Sequence, residues 1–233
     1  AYDMNKVLAC IADNDSLFEL KPDFGKSVIT TLGRINGETV GFIANQPMIM
    51  AGAMDTCGID KVISFLCLCD TYNIPLLFFH DIPGFLVGKE AERKKVAAKV
   101  MNYMNALGQV TVPKIGVIVR KTYGMAFWNM AGTGCGTDFL VAWPSAEMSF
   151  VDPVIAANVV FGSGDARSDE KQSLISNLID GTSPFEAAGV FDIHDVIDPR
   201  TTRDYIIRAL EISHGSVNNG IGEHRLANWP TKF

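Results

Sequence analysis

The chain has little of what would tie it to a membrane, a nucleic acid or a metal. No apolar run among its 233 residues approaches the roughly 20 that a membrane-spanning helix needs, so no such span is expected. Basic charge is in deficit: 20 lysines and arginines stand against 26 aspartates and glutamates, a formal net charge of -6. Nucleic acid and anionic membrane surfaces select the opposite balance, so neither is an expected partner. The opening Ala1-Tyr2-Asp3-Met4 has neither the basic head nor the apolar body of a signal peptide. The cysteines (Cys10, Cys57, Cys67, Cys69 and Cys135) are odd in number and show no metal-ligand spacing. They read as reduced thiols, which fits a cytoplasmic compartment, or a mitochondrial matrix in a eukaryote. Repeats and low-complexity segments are missing too.

What is present is enough to build a core. With 48% apolar residues, a chain of this length needs neither disulfide nor metal to fold. Residues 1–233 read as one α/β domain, because apolar runs of strand length alternate with helical patterns. The spacing predicts a short amphipathic helix over Met4 to Ile11, and strands Ile29 to Ile35 and Thr39 to Ala44 around an Asn36-Gly37 hairpin turn. A buried helix follows over Asp60 to Cys69, then a strand Leu76 to Phe79 and a helix Glu90 to Leu107. Strands are expected at Lys114 to Val119, Phe139 to Trp143 and near Asp195 to Ile197, and helices at Glu186 to Gly189 and Thr202 to Ile212. The tail from His214 to Phe233 is polar and irregular. The chain lacks an initiator Met and goes straight into folded-looking sequence, which predicts a piece of a longer protein.

Chemistry is expected where strand ends carry glycine and proline. There are three such places: Asn45-Gln46-Pro47 with Ala51-Gly52, Asp81-Ile82-Pro83-Gly84-Phe85, and Arg120-Lys121-Thr122-Tyr123-Gly124-Met125-Ala126-Phe127-Trp128. At the third, a strand stops at a glycine and turns into a helix. The first helical amides then have no backbone partner and carry the positive end of the helix dipole, which suits an oxygen gaining negative charge. The same residues also fit an ordinary βα turn. Side-chain catalysts are scarce. His80 adjoins Asp81, yet no serine or cysteine neighbours them, and Asp81 reads as a turn or cap residue. Glu147 fits either a structural or an acid/base role. Glu90, Glu92, Arg93, Lys94, Lys95 and Lys99 read first as a solvated helix face.

Several motifs together resemble the carboxyltransferase subunits of propionyl-, acetyl- and methylcrotonyl-CoA carboxylases. They are Asn45-Gln46-Pro47, Asp81-Ile82-Pro83-Gly84-Phe85-Leu86-Val87-Gly88, Thr111-Val112-Pro113-Lys114-Ile115, Arg120-Lys121-Thr122-Tyr123-Gly124, Ala142-Trp143-Pro144-Ser145-Ala146-Glu147 and Asp195-Val196-Ile197-Asp198-Pro199 with Thr202-Arg203. The likeness runs in order from Tyr2-Asp3 to about Leu210. Each motif is modest alone; in this order they are specific.

The resemblance implies a crotonase-like (ClpP/crotonase) superhelix of repeated β-β-α units, and a chain matching only the C-terminal of the family's two domains. It implies biotin, brought by a carboxyl-carrier protein of a biotin carboxylase system, as cofactor and a coenzyme A thioester as substrate. It also implies a homo-oligomer whose active sites lie between this domain and an N-terminal carboxyltransferase domain. The amides of Met125 and Ala126 become the expected oxyanion donors, with Gly124 setting the turn. Tyr123, Phe127, Asn45, Gln46, Pro47, Pro83, Gly84 and Phe85 become the expected cofactor-binding residues, and Trp128, Ala51 and Gly52 the substrate-selecting ones. Met125 stands where the family usually has a second glycine, and Trp128 where it often has aspartate, so the expected substrate is not plain propionyl-CoA. Three other readings remain open. One is a biotin-dependent decarboxylase subunit; another is an enoyl-CoA hydratase or isomerase using Glu147; the third is a non-catalytic assembly subunit.

Overall fold

A computed structural model describes residues 1–162 and 169–213 of the chain. The tail expected to be irregular, His214 to Phe233, lies outside the described residues. Eight strands form one mixed sheet in the order β1-β2-β3-β4-β5-β6-β8, with β7 paired to β5. The antiparallel part is β1 (Phe18–Glu19), β2 (Val28–Ile35) and β3 (Glu38–Asn45). The parallel part comprises β4 (Leu76–Ile82), β5 (Lys114–Tyr123), β6 (Phe139–Ala142), β7 (Glu147–Ser149) and β8 (Asp195–Val196). Between β2 and β3, Asn36 and Gly37 both take positive φ, 53° and 82°, the paired left-handed conformation that a two-residue hairpin turn requires.

Helices cover both faces of the sheet, and β4 shows why. Leu76, Phe78 and Ile82 join one core cluster, while Leu77 and Phe79 join the other, so alternate residues bury on opposite faces. On the first face, α2 (Thr56–Thr71) and α4 (Val96–Gln109) contribute Val62, Phe65, Tyr103 and Leu107. On the second, α1 (Met4–Ile11) and α9 (Thr202–Ser213) contribute Leu8, Ile206 and Leu210. Because β3, β4 and β5 run parallel, their C-terminal ends meet at one edge. All three glycine and proline clusters therefore converge there.

The expected helix Glu90 to Leu107 is broken into α3 (Lys89–Arg93) and α4, with Lys95 in the left-handed region at φ 58°. α3 fully buries no side chain and touches the core only through the half-buried Ala91, so little packing carries the helical phase across the Lys94-Lys95 joint. Its charges are solvated as expected, except that Lys99, on α4, donates to Asp60 at 2.6 and 2.8 Å. Two further helices were not expected, α6 (Pro153–Phe161) and α7 (Asp169–Asp180). The start of α6 was visible: Asp152 caps it by accepting from the amides of Val154 and Ile155, and Pro153 holds its first position. The remaining helices are α5 (Met125–Asn129) and α8 (Pro184–Gly189).

Asp13 fastens α9 to the hairpin tip. Its carboxylate accepts from the Asn36 amide (3.0 Å), the Gly37 amide (2.8 Å) and the Arg203 guanidinium (2.5 Å). The Arg203 hydrogen bond, followed by the Gly37 amide, holds the acid below its ordinary pKa. A lowered folded pKa stabilises the fold above the unfolded value, and that contribution is lost as pH falls through the folded one. Asp13→Asn is therefore expected to melt below the wild type at neutral pH. The gap should narrow as pH falls below the ordinary aspartate range, as followed by thermal unfolding across pH.

Candidate functional site

β5 delivers the chain to the site. Its first half pairs with β6 (Ile115–Ile118 with Phe139–Ala142) and its last three residues with β7 (Lys121–Tyr123 with Glu147–Ser149). Gly124 then reverses the backbone at φ 56°, ψ -138°, a conformation open in practice only to glycine. Its amide donates to the Ser149 carbonyl at 2.9 Å. A β-carbon here would stand 2.8 Å from the Phe150 carbonyl oxygen. α5 starts at the next residue. The Phe127 amide bonds back to the Gly124 carbonyl at 3.0 Å, while nothing among the described residues caps the amides of Met125 and Ala126. The helix is short, so the donors matter more than its dipole.

Beside this turn lies a cavity of about 390 Å³. Gly124, Phe127 and Trp128 line one side, Thr122, Met148 and Ser149 the floor between strands, and Phe150, Ser183 and Val190 the other walls. Its carboxylates, Glu186 and Asp192, are both solvent-exposed. Of the residues expected at the site, Met125 is 41% exposed and Trp128 36%, while Ala126 is 1% exposed. Tyr123 is buried, and its phenol donates to Glu147 Oε2 at 2.6 Å. Burial, reinforced by Glu147, pushes that phenol well above its ordinary pKa, so it stays a neutral donor. Glu147 is thereby held by Tyr123, with Lys121 Nζ 5.5 Å from the same ring.

Of the expected residues, Gly124, Phe127 and Trp128 line the cavity, whereas Tyr123, Met125 and Ala126 adjoin it in sequence without lining it, and the others share the edge outside its wall. Asn45 Oδ1 accepts the Asp81 amide at 3.1 Å, and Asn45 Nδ2 is buried without a partner among the described residues. Gln46 donates to Asp3 at 2.7 Å and accepts from the Met4 amide at 3.3 Å, tying α1 to the end of β3. Pro47 is buried beside it. Ala51 is exposed at φ 54°, and Gly52 (φ 85°) lies so close to the Asp81 carbonyl that a β-carbon would come within 2.2 Å. Pro83, Gly84 and Phe85 are half-buried, and the Gly84 carbonyl accepts the Met54 amide at 3.2 Å.

Asp81 requires a correction: it is no turn residue. It is fully buried on β4, where both its oxygens accept from Arg120 Nε at 3.1 Å and Oδ2 accepts from the Tyr2 hydroxyl at 2.8 Å. The partners are 39 and 79 residues away, so no local signal marked them. His80 is also buried, and its Nδ1 lies 3.2 Å from the Thr122 hydroxyl. Burial of the ring pulls its pKa down to about 3, so it is neutral at any working pH. No serine or cysteine is bonded to it among the described residues, so His80 and Asp81 form no nucleophilic triad.

A family model described as the carboxyl transferase domain matches residues 1–224. The methylmalonyl-CoA decarboxylase subunit alpha of Propionigenium modestum is 37% identical over 220 residues, 92% of this chain and 43% of that protein. The methylmalonyl-CoA carboxyltransferase 12S subunit of Propionibacterium freudenreichii subsp. shermanii is 36% identical over 216 residues, 91% of this chain and 41% of that one. Among solved structures, a transcarboxylase 12S crystal structure described as a hexamer assembly with methylmalonyl-coenzyme A bound superposes with a TM-score of 0.88. The identity is 35%, over 98% of this chain and 44% of that one. The beta subunit of the P. aeruginosa geranyl-CoA carboxylase gives 0.83 at 26% identity, again over 98% and 44%. The fold is thus the crotonase-like fold of such domains, and the chain spans less than half the length of the relatives it matches.

Proposed function

The chain belongs to the carboxyl transferase domain family, and on that premise we propose that it is the C-terminal half of a biotin-dependent acyl-CoA carboxyltransferase. One observation carries the reading. Uncapped Met125 and Ala126 amides follow the Gly124 turn at the wall of a cavity of about 390 Å³, while the nearby Glu147 is already held by Tyr123. Such a site offers fixed donors to an oxygen that gains charge, and leaves the reactive groups to cofactor and substrate. The aromatic walls, Phe127, Trp128 and Phe150, fit the flat apolar body of biotin, and the turn amides fit its ureido oxygen. When bound, biotin on its carrier protein supplies the carboxyl group and the nitrogen that exchanges it. The protein's part is to orient that ring, hold negative charge at Met125 and Ala126 Nα, and keep water out with the aromatic walls.

The rest of the active site comes from an N-terminal carboxyltransferase domain, on this or another chain. An apolar ridge beside the cavity supports this. On α6, Val154, Ile155, Val159 and Val160 are 50 to 81% exposed, and Phe150 just before it is 83% exposed. Such a continuous apolar surface is the mark of an interface rather than of a free face. Homo-oligomers and a cytoplasmic setting follow from the same reading. Trp128 on the cavity wall, with Met125 half-exposed beside it, favours an acyl group other than propionyl. The reading is tested by carboxyl transfer from carboxylated acyl-CoA thioesters to free biotin, with the chain alone and mixed with a matching N-terminal half. Transfer that needs both halves, with methylmalonyl-CoA, the carboxylated form of propionyl-CoA, not the best donor, is expected. Hydration of an enoyl-CoA without biotin-linked exchange would overturn the reading.

A further inference from the structure

The floor of the cavity holds a polar pair that the proposed chemistry does not use. Register between β4 and β5 slips beside the site: His80 faces Ile118, yet Ile82 faces Thr122, so β5 carries two extra residues. Such a bulge re-aims side chains. Here Arg120 is turned to Asp81, and Thr122 is turned to His80 on the cavity side. The imidazole is wholly buried, its ring 6.4 Å from that of the cavity-lining Phe127. Gly116 packs behind it: a β-carbon there would touch His80 Nε2 at 3.4 Å, an ordinary contact, and would clash with Leu140 Cδ1 at 2.5 Å. Burying a neutral histidine beneath a hydroxyl is costly unless the two satisfy each other.

We propose that the Thr122 hydroxyl is a hydrogen-bond acceptor for a ring N–H of the ligand in this cavity, with His80 as the positioning residue that sets its polarity. The tautomer decides the polarity. Nδ1 faces Thr122 at 3.2 Å, while Nε2 is buried with no partner among the described residues, and the Met130 backbone favours a proton on the ring, here assigned to Nε2. With the proton on Nε2, Nδ1 accepts from the Thr122 O–H, and the oxygen of this cavity-lining residue, itself only 1% exposed, keeps its lone pairs for a ligand that reaches it. A donor in the ligand is then satisfied and an acceptor is repelled. A cyclic urea presents an N–H next to its carbonyl on one ring edge, so a wall that accepts at Thr122 complements that class of ring. The inference rests on the biotin reading and adds a ligand contact and an orientation to it.

The test is NMR titration of the chain with biocytin, the biotin amide of lysine. Thr122→Val, which keeps the shape and removes the acceptor, is expected to weaken binding about fivefold, while Thr122→Ser stays within about twofold of wild type. Thr122→Ala serves the same comparison if the valine protein does not fold. Nitrogen shifts of the His80 ring are expected to show Nε2 protonated and Nδ1 bare at neutral pH, in the wild type with and without biocytin. Equal binding by wild type and Thr122→Val, or a proton on Nδ1, would overturn this inference and leave the biotin reading standing. No biocytin binding by the wild type would overturn both.

Discussion

Gly124→Ala is expected to lower carboxyl transfer by about 100-fold with little change in the KM for acyl-CoA, because it displaces amide donors and no substrate-binding side chain. Two constraints meet at this glycine. Its φ 56° and ψ -138° lie where a side chain is not tolerated, and the added carbon would press to 2.8 Å from the Phe150 carbonyl. To relieve that contact, the turn must roll away from β7, to which the Gly124 amide is bonded through Ser149. Met125 and Ala126 move with it. Losing one well-aimed donor of this kind typically costs a factor of about 10² to 10³ in kcat, whereas a merely structural glycine would show its cost in melting temperature. Steady-state transfer by the paired halves, beside a thermal melt, separates the two. A variant as active as the wild type would show that the turn amides carry no charge in the reaction.

The second large effect is on stability, and it is asymmetric across one ion pair. Asp81 is fully buried, whereas its partner Arg120 is 35% exposed. Arg120→Met leaves the carboxylate inside the protein with only the Tyr2 hydroxyl at 2.8 Å and the Lys121 amide at 3.4 Å. It also removes the guanidinium that stacks 5.8 Å from the Tyr2 ring. An unpaired buried charge costs about 3–5 kcal/mol, and partial solvent access at Arg120 argues for the lower end. At roughly 2–4 °C per kcal/mol for a chain of this size, the melting temperature should drop by about 6–12 °C. Asp81→Asn is expected to cost less than half as much, because the released arginine can turn to water. Equal losses in the two melts would mean that the pair is not buried as described.

How much was visible beforehand follows the range of the forces involved. The Asn36-Gly37 hairpin was legible because two adjacent residues decide it, and β4 was legible as an apolar run because both its faces are covered. The edge carrying the site could be read for a similar reason: glycines and prolines mark where parallel strands end. Asp81 could not be read, since its role depends on Arg120 and Tyr2, which only the sheet brings near. The floor of the cavity was equally hidden, because the β5 bulge, not strand alternation, aims Thr122 at His80. α7, Asp169 to Asp180, was missed although Leu174, Ile175, Leu178 and Ile179 recur at helical spacing; it buries just Lys171, so packing adds little to that local pattern. The resemblance to carboxyltransferases placed the turn donors at Met125 and Ala126, but it was silent on what the neighbouring side chains do for each other.

On the proposed reading, backbone amides, rather than a side-chain acid or base of this chain, carry the reaction. The most direct test of this is carboxyl transfer by the paired halves with Glu147→Gln. The glutamine keeps an acceptor for the Tyr123 hydroxyl, now 2.6 Å from Glu147, and removes only the ionisable group. Transfer within about threefold of wild type is the expected result. A fall of about 10²–10⁴, the range typical of a lost general acid or base, would contradict the account and make Glu147 the catalyst.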